Sequence, residues 1–252
     1  ALHWWLPQLL PTPSMAELNA WNWRPGPPEI PAWMHAPSDP AWIEALAKAV
    51  ADSGLEQEAL AMEKGYLILV DPAQQETHRR FLRAWVDCAG TLGIPALRVD
   101  PGPMRDCDRA ARQAVIQAYR EEAAYAADRG VRIFVENHWG LSQDADFLEE
   151  LLDAVPAVGY LLDSNNFAPE EREANWHRLV HRAAACHLKT FELGDTGVEP
   201  RMPVHKCIEL LAKHDPDRLW GIESMPTDGD EMAGVRRTVA LIERTLCASK
   251  NK

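Results

Sequence analysis

From residue 38 onward, runs of four to six apolar residues alternate with segments of helical length, and this rhythm limits the fold more than any other feature. Asp39-Pro40 sets a capping side chain before a helix-starting proline, and Trp42, Leu46, Ala49 and Val50 follow on one helical face. Asp71-Pro72 repeats the signal and predicts a helix through Cys88, with Phe81, Leu82, Trp85 and Val86 apolar and Gly90 and Gly93 closing it. Strands are predicted at Leu55–Met62, Ala96–Val99, Val131–Val135, Tyr160–Leu162, Ala185–Leu188 and Leu219–Ile222. Between and after them fall helices over Arg105–Arg129, Asp144–Val155, Pro169–Ala184, Val204–Lys213 and Glu231–Leu246. Such alternation implies βαβ units and a parallel sheet. The repeat of roughly 25–40 residues suits a (β/α)8 TIM barrel better than a doubly wound sheet, and 252 residues is close to the usual length of that barrel. No G-x-G-x-x-G or P-loop follows any strand. The reading is α/β, a single domain over 1–252.

The beginning of the chain breaks the rhythm. Its first 42 residues hold six of the ten tryptophans (Trp4, Trp5, Trp21, Trp23, Trp33, Trp42) and nine of the nineteen prolines. Proline removes an N–H and clashes with the preceding turn, so regular helix is excluded there. Short strands at Leu2–Leu6 and Ala16–Trp21 and a long loop over Arg24–Pro37 are expected. Only nine residues (7–15) separate the two strands, so the first β/α unit reads as incomplete. The tryptophans form either an aromatic wall over a sugar pocket or a cover for core or for a subunit contact.

Charge and cysteine usage narrow the partners. A net charge of −12 argues against a protein that grips a nucleic-acid backbone. It is compatible with a neutral sugar and with a divalent cation. No stretch approaches the ~20 apolar residues of a membrane span. Leu2–Leu10 is interrupted by Pro7 and has no basic leader, so it does not read as a signal peptide. The five cysteines (Cys88, Cys107, Cys186, Cys207, Cys247) are widely spaced and contain no CxxC, which excludes a zinc knuckle and suits a reducing cytoplasm. Self-association into a homo-oligomer stays open.

In a parallel barrel, chemistry sits where strands end and βα loops begin. Val131–Val135 runs into Glu136-Asn137-His138, and Gly159–Leu162 into Asp163-Ser164-Asn165-Asn166. Ala185-Cys186 runs into His187-Leu188-Lys189, and Leu219–Ile222 into Glu223-Ser224. Four successive strands thus deliver Glu136, Asp163, His187 and Glu223 to one rim. Three carboxylates gathered without a counter-charge repel one another. One divalent metal ion resolves this, and three oxygens with one imidazole nitrogen favour Mn²⁺, Mg²⁺ or Co²⁺ and leave Zn²⁺ open.

These motifs, with Leu92–Val99, resemble the xylose isomerase-like TIM barrels, the sugar phosphate isomerase/epimerase superfamily, over roughly residues 40–246. The resemblance implies that Glu136, Asp163, His187 and Glu223 bind one catalytic divalent metal, and that the two glutamates shuttle protons as in the family's ketose epimerases. The chain departs from ketose 3-epimerases at two places. Asn166 stands where they carry a histidine, and Lys189-Thr190-Phe191-Glu192 offers no arginine after the histidine ligand.

Such a centre polarises a carbonyl, acidifies the neighbouring C–H and stabilises an enediolate. Proton return to another carbon is isomerisation, and return to the same carbon from the opposite face is epimerisation. Loss of a β-leaving group is a lyase reaction. Glu136 and Glu223 are the expected base and acid. Lys189, His138, Arg98 and Asn166 are candidate substrate contacts. Each has a structural alternative: a lysine–carboxylate pair, a hydrogen-bonded histidine, an Arg98–Asp100 pair inside the barrel, and a loop cap. The expected function is a metal-dependent sugar isomerase or epimerase. A lyase on a keto-sugar or cyclic polyol and a non-catalytic sugar-binding barrel are the alternatives. An abasic-site endonuclease of this fold would need further metal-binding histidines and a basic groove.

Overall fold

The computed structural model of the protein describes residues 37 and 39–249, apart from 38, 63, 69–70, 103, 105–106, 195–196 and 216–217. The two strands and the Trp/Pro-rich stretch expected ahead of Pro37 lie outside the described residues. Contacts divide the described chain into two compact units. One holds the residues up to Val135 with Trp139–Ser142 and Glu150–Val158, and the other holds Glu136–His138, Gln143–Glu149 and the residues from Gly159 on.

In the first unit the start signals act as read. Helix α1 (Pro40–Ser53) begins where Ala41 N donates to Asp39 Oδ1 at 2.9 Å, and it ends at Gly54 in the left-handed region. Helix α2 (Pro72–Leu92) begins where Ala73 N donates to Asp71 Oδ1, also at 2.9 Å, and it ends at Gly93 with φ 70°. Strand β1 is confined to Leu60–Ala61, far shorter than Leu55–Met62, because the leading half of that segment is polar and Leu55 is exposed. Strand β2 (Ala96–Arg98) pairs in parallel with β1 through Leu60 and Leu97, and with β3 (Arg132–Glu136) through Leu97 and Ile133. Helix α3 (Arg109–Ala127), capped by Asp108, connects β2 to β3, so the first unit is built from βαβ connections. Leu82, Val86, Leu97, Val99, Ile133 and Val135 form its apolar interior.

Gly90 does not close α2. It lies inside the helix, where a Cβ would come within 2.9 Å of the Arg129 carbonyl oxygen. The missing side chain is what allows α2 to meet the end of α3.

Helix α4 (Ala145–Ala154) follows a 3₁₀ turn at Gly140–Gln143. In the second unit, β4 (Gly159–Asp163) is buried along its whole length, as an apolar strand covered on both faces should be. Helix α5 spans only Arg172–Leu179, not Pro169–Ala184. A 3₁₀ turn at Val180–Arg182 ends it, and Ala183 and Ala184 are drawn into β5 (Ala183–Thr190), where Ala183 pairs with Tyr160. Strand β6 covers Gly221–Ser224, two residues later than expected, since Leu219 is 39% exposed outside the ladder. Helices α6 (Val204–His214) and α7 (Glu231–Ser249) complete the alternation. The ladder β4–β5–β6 is parallel, with Asp163 opposite His187 and Lys189 opposite Glu223. No helix among the described residues is long and apolar enough to cross a membrane.

Gly→Ala inside a helix ordinarily stabilises by roughly 1 kcal/mol. At Gly90 the sign reverses. Gly90→Ala is expected to lower the unfolding free energy by about 1–3 kcal/mol through forced separation of α2 and α3, measured by urea denaturation. A stabilised variant would contradict the packing described.

Candidate metal centre

The carboxyl ends of β3, β4, β5 and β6 each contribute one side chain to a single cluster in the second unit. One ligand atom from each of Glu136, Asp163, His187 and Glu223 lies within 4.8 Å of the other three. Glu136 and Asp163 are the last residues of their strands. His187 and Lys189 are two apart on β5, so strand alternation turns both to one side.

His187 Nδ1 lies 3.0 Å from Glu136 Oε1 and 3.6 Å from Glu223 Oε2. Lys189 Nζ is 3.3 Å from Asp163 Oδ2, 3.3 Å from Glu223 Oε2 and 3.0 Å from Asn166 Oδ1, to which it donates. Glu136, Asp163, His187 and Lys189 are buried, whereas 40% of the Glu223 side chain reaches solvent. Glu223 is thus the carboxylate through which the cluster opens.

Local turns explain how Asp163 is held. Its Oδ1 accepts from the backbone N–H groups of Asn165 at 2.7 Å and Asn166 at 2.8 Å, an Asx turn that ends β4. Asn137, fully buried, grips the same residue from the other side. Its Oδ1 accepts from Asp163 N at 2.8 Å and from the Tyr160 hydroxyl at 3.0 Å, and its Nδ2 donates to the Asp163 carbonyl at 2.9 Å. Ser164 Oγ accepts from Lys189 N at 2.9 Å and so ties the start of one loop to β5.

The loop beyond β5 is held by a buried carboxylate. Glu199 accepts from the N–H groups of Phe191 at 2.7 Å, Glu192 at 3.0 Å and Arg201 at 3.1 Å. Beside it, the Thr190 hydroxyl donates to Ser224 Oγ at 3.1 Å and shares a 2.7 Å hydrogen bond with Thr238 of α7.

The charges act on one another. Burial pulls the His187 pKa down, but Glu136 above all, with Glu223 and Asp163, outweighs it, and the net shift is upward. Lys189 behaves alike: burial opposes its charge, and Asp163, Glu223 and Glu136 more than restore it. For Glu223, desolvation of the carboxyl end dominates and raises the pKa, with Asp163 and Glu136 adding to the rise while Lys189 and His187 oppose it.

The donor set fits a divalent cation. Asp163 Oδ2 is buried and accepts no hydrogen bond among the described residues, although its partner oxygen accepts two. Three carboxylates and Lys189 leave a formal charge of −2 when His187 is neutral, which one divalent ion would cancel. Hard carboxylate oxygens with one imidazole nitrogen suit first-row divalent metals and Mg²⁺ alike.

The structure therefore brings together six of the residues singled out in the sequence: Glu136, Asp163, His187, Glu223, Lys189 and Asn166. His138 is half-buried just beyond β3 and is outside the four-residue cluster. Arg98 belongs to the first unit, where its Nη2 donates to the Met62 carbonyl at 3.0 Å. Asn137, Ser164 and Glu199 were not singled out. Alternation places Asn137 on the opposite side of the chain from Glu136, and a polar residue on the buried side of a strand end was the signal available.

The chain belongs to the xylose isomerase-like TIM barrel family, whose sequence pattern matches residues 17–240. Solved structures of low identity share its fold. The 3-keto-D-glucoside 4-epimerase of E. coli is 13% identical, with 80% of this chain and 84% of that one covered and a TM-score of 0.65. D-Allulose 3-epimerase from Methylomonas sp. is 16% identical, with 81% and 82% covered and a TM-score of 0.67. A xylose isomerase-like TIM barrel protein from Mycobacterium smegmatis, in complex with magnesium, is 15% identical, with 85% and 81% covered and a TM-score of 0.64. No curated protein matches the chain.

Asn137→Ala would strand the Asp163 N–H, the Asp163 carbonyl and the Tyr160 hydroxyl without their partner. The expected loss of stability is about 3 kcal/mol or more, read from urea unfolding curves. A loss below about 1 kcal/mol would show that Asn137 does not hold the end of β4.

Proposed function

We propose that the chain is a divalent-metal-dependent isomerase or epimerase of a sugar or sugar derivative. The observation that carries the reading is the convergence of Glu136, Asp163, His187 and Glu223 within 4.8 Å, with Lys189 beside them. The fold shared with a keto-glucoside epimerase and an allulose epimerase supports a sugar as the substrate class.

Glu136, Asp163, His187 and Glu223 would hold the ion, which when bound would supply Lewis acidity at the sugar carbonyl and offset charge developing on its oxygen. Manganese or magnesium fits the oxygen-rich set best, with cobalt and zinc as further candidates. Glu223, partly open to solvent and raised in pKa by burial of its carboxyl end, takes the proton from the carbon next to the carbonyl. Glu136, buried against His187, is the second acid–base group and returns a proton. Their protonation is shared across the cluster, so neither has a private titration. Lys189 donates from Nζ to a substrate oxygen as negative charge builds there, with Asn166 keeping its ammonium in line.

The two departures from ketose 3-epimerases fall near this lysine. Asn166 meets Lys189 Nζ at 3.0 Å, and Lys189 itself begins the segment that lacks their arginine. Different donors at these positions support a substrate whose hydroxyl pattern differs from that of those epimerases.

The test is proton exchange at carbon. The purified protein with Mn²⁺ or Mg²⁺ is incubated with a panel of ketoses and keto-sugars in D₂O, and C–H signals are followed by NMR. The reading predicts loss of one C–H signal beside a carbonyl, with an isomer or epimer formed. Glu136→Gln and Glu223→Gln should each lower that rate by about 10²-fold or more with circular dichroism unchanged. Near-normal exchange in either variant would overturn the roles assigned. An ultraviolet-absorbing enone in place of an isomer would assign the site to a lyase.

A further inference from the structure

Besides the carboxylate cluster, the second unit carries a cationic cleft. Its volume is about 260 Å³, and Gly194, Gly197, Arg236, Arg237, Ala240 and Arg244 line it. Arg236, Ala240 and Arg244 recur at every fourth position of α7 and therefore share one helical face. The small Ala240 leaves a gap between two long cationic side chains one turn above and below it. At 1.5 Å per residue, Arg236 and Arg244 start about 12 Å apart, a span their side chains can close around a small anion.

The three guanidinium groups differ in how they are held. Arg237 donates to the Leu193 carbonyl at 3.2 Å and to Asp228 Oδ2 at 3.2 Å, so its fork is fixed. The guanidinium groups of Arg236 and Arg244 make no hydrogen bond or ion pair with any described residue. Arg244 lies against Gly197, where φ is +71° and any side chain would overlap the guanidinium. The glycine leaves Arg244 access to the cleft. With Arg237 paired to Asp228, Arg236 and Arg244 are the two positive charges at the cleft without a carboxylate partner among the described residues, a local reversal of sign in a chain of net charge −12. Guanidinium forks match the oxygens of phosphate in pairs, which a lone ammonium does not.

We propose that this cleft is an anion site that takes a phosphate group, either inorganic or carried by a phosphorylated small molecule. The site stands apart from the carboxylate cluster in its residues, so its failure would leave the metal-centre reading intact, and the reverse holds too.

The experiment titrates the full chain, freed of metal with a chelator and then dialysed, with inorganic phosphate at low ionic strength, followed by ³¹P NMR. Saturable binding is expected, weakening as salt is raised. The double variant Arg236→Ala/Arg244→Ala should lose at least about ten-fold in affinity, with its circular dichroism and melting temperature kept. Gly197→Val, which pushes Arg244 aside, should weaken binding as well, while Glu136→Gln should not. No saturable binding to the native chain, or equal affinity in the double variant, would overturn the proposal. A second titration separates the sources. A phosphorylated ketose that binds more tightly than inorganic phosphate, and less tightly after Glu223→Gln, assigns the phosphate to the substrate. Equal affinity for the two, insensitive to Glu223→Gln, assigns it to a separate anion. Either result sustains the cleft as a phosphate site.

Discussion

Mutual repulsion among Glu136, Asp163 and Glu223 is the constraint around which the second unit is arranged. Two of these carboxylates are buried, and all three have an oxygen within 4.8 Å of the others. Such a group cannot stay ionised without positive charge close by. Lys189 and His187 supply part of it, both from β5, and both respond by holding their protons more tightly than in water. An evenly balanced ion-pair network would need nothing more. Here Asp163 Oδ2 accepts no hydrogen bond among the described residues and the carboxylates outnumber the fixed cation, which is the imbalance a divalent ion corrects.

The scaffold around the cluster spends its hydrogen bonds on backbone rather than on the reacting groups. Asn137 and the Asx turn fix Asp163 from two sides, leaving Oδ2 with no hydrogen bond among the described residues and only the Lys189 ammonium at 3.3 Å. Ser164 receives Lys189 N, and Glu199 gathers three N–H groups of the loop that follows Thr190. Each of these contacts fixes where a chain segment leaves its strand. Rigid supports of this kind hold the clustered side chains in one arrangement ahead of any binding event. The same logic explains the polar chain from Thr190 through Ser224 and Thr238, which anchors β5 and β6 to α7 beside Glu223.

Much of this was legible in the sequence, for physical reasons that differ from place to place. Asp39-Pro40 and Asp71-Pro72 mark helix starts because the cap and the fixed φ act locally, and both caps form. The convergence of Glu136, Asp163, His187 and Glu223 was readable because βα architecture puts strand ends on one rim whatever the loops between them do. Boundaries were less legible where tertiary pairing decides them. Ala183 and Ala184 have good helix propensity but join β5 through pairing with β4, and β6 slides to Gly221–Ser224. Gly90 reads as a helix stop, yet its role is to admit the Arg129 carbonyl, a contact 39 residues away in sequence. Asn137 was missed for a similar reason: its partners lie on another strand, and the one local signal is its polarity at the buried end of β3.

The central claim is that one ion sits among these four side chains. It is tested most directly by growing crystals of the protein with Mn²⁺ and collecting anomalous diffraction at the manganese edge. The account predicts a single strong anomalous peak with Glu136, Asp163, His187 and Glu223 at coordination distance. A peak elsewhere, or none at saturating Mn²⁺ with Lys189 still bridging Asp163 and Glu223, would contradict it.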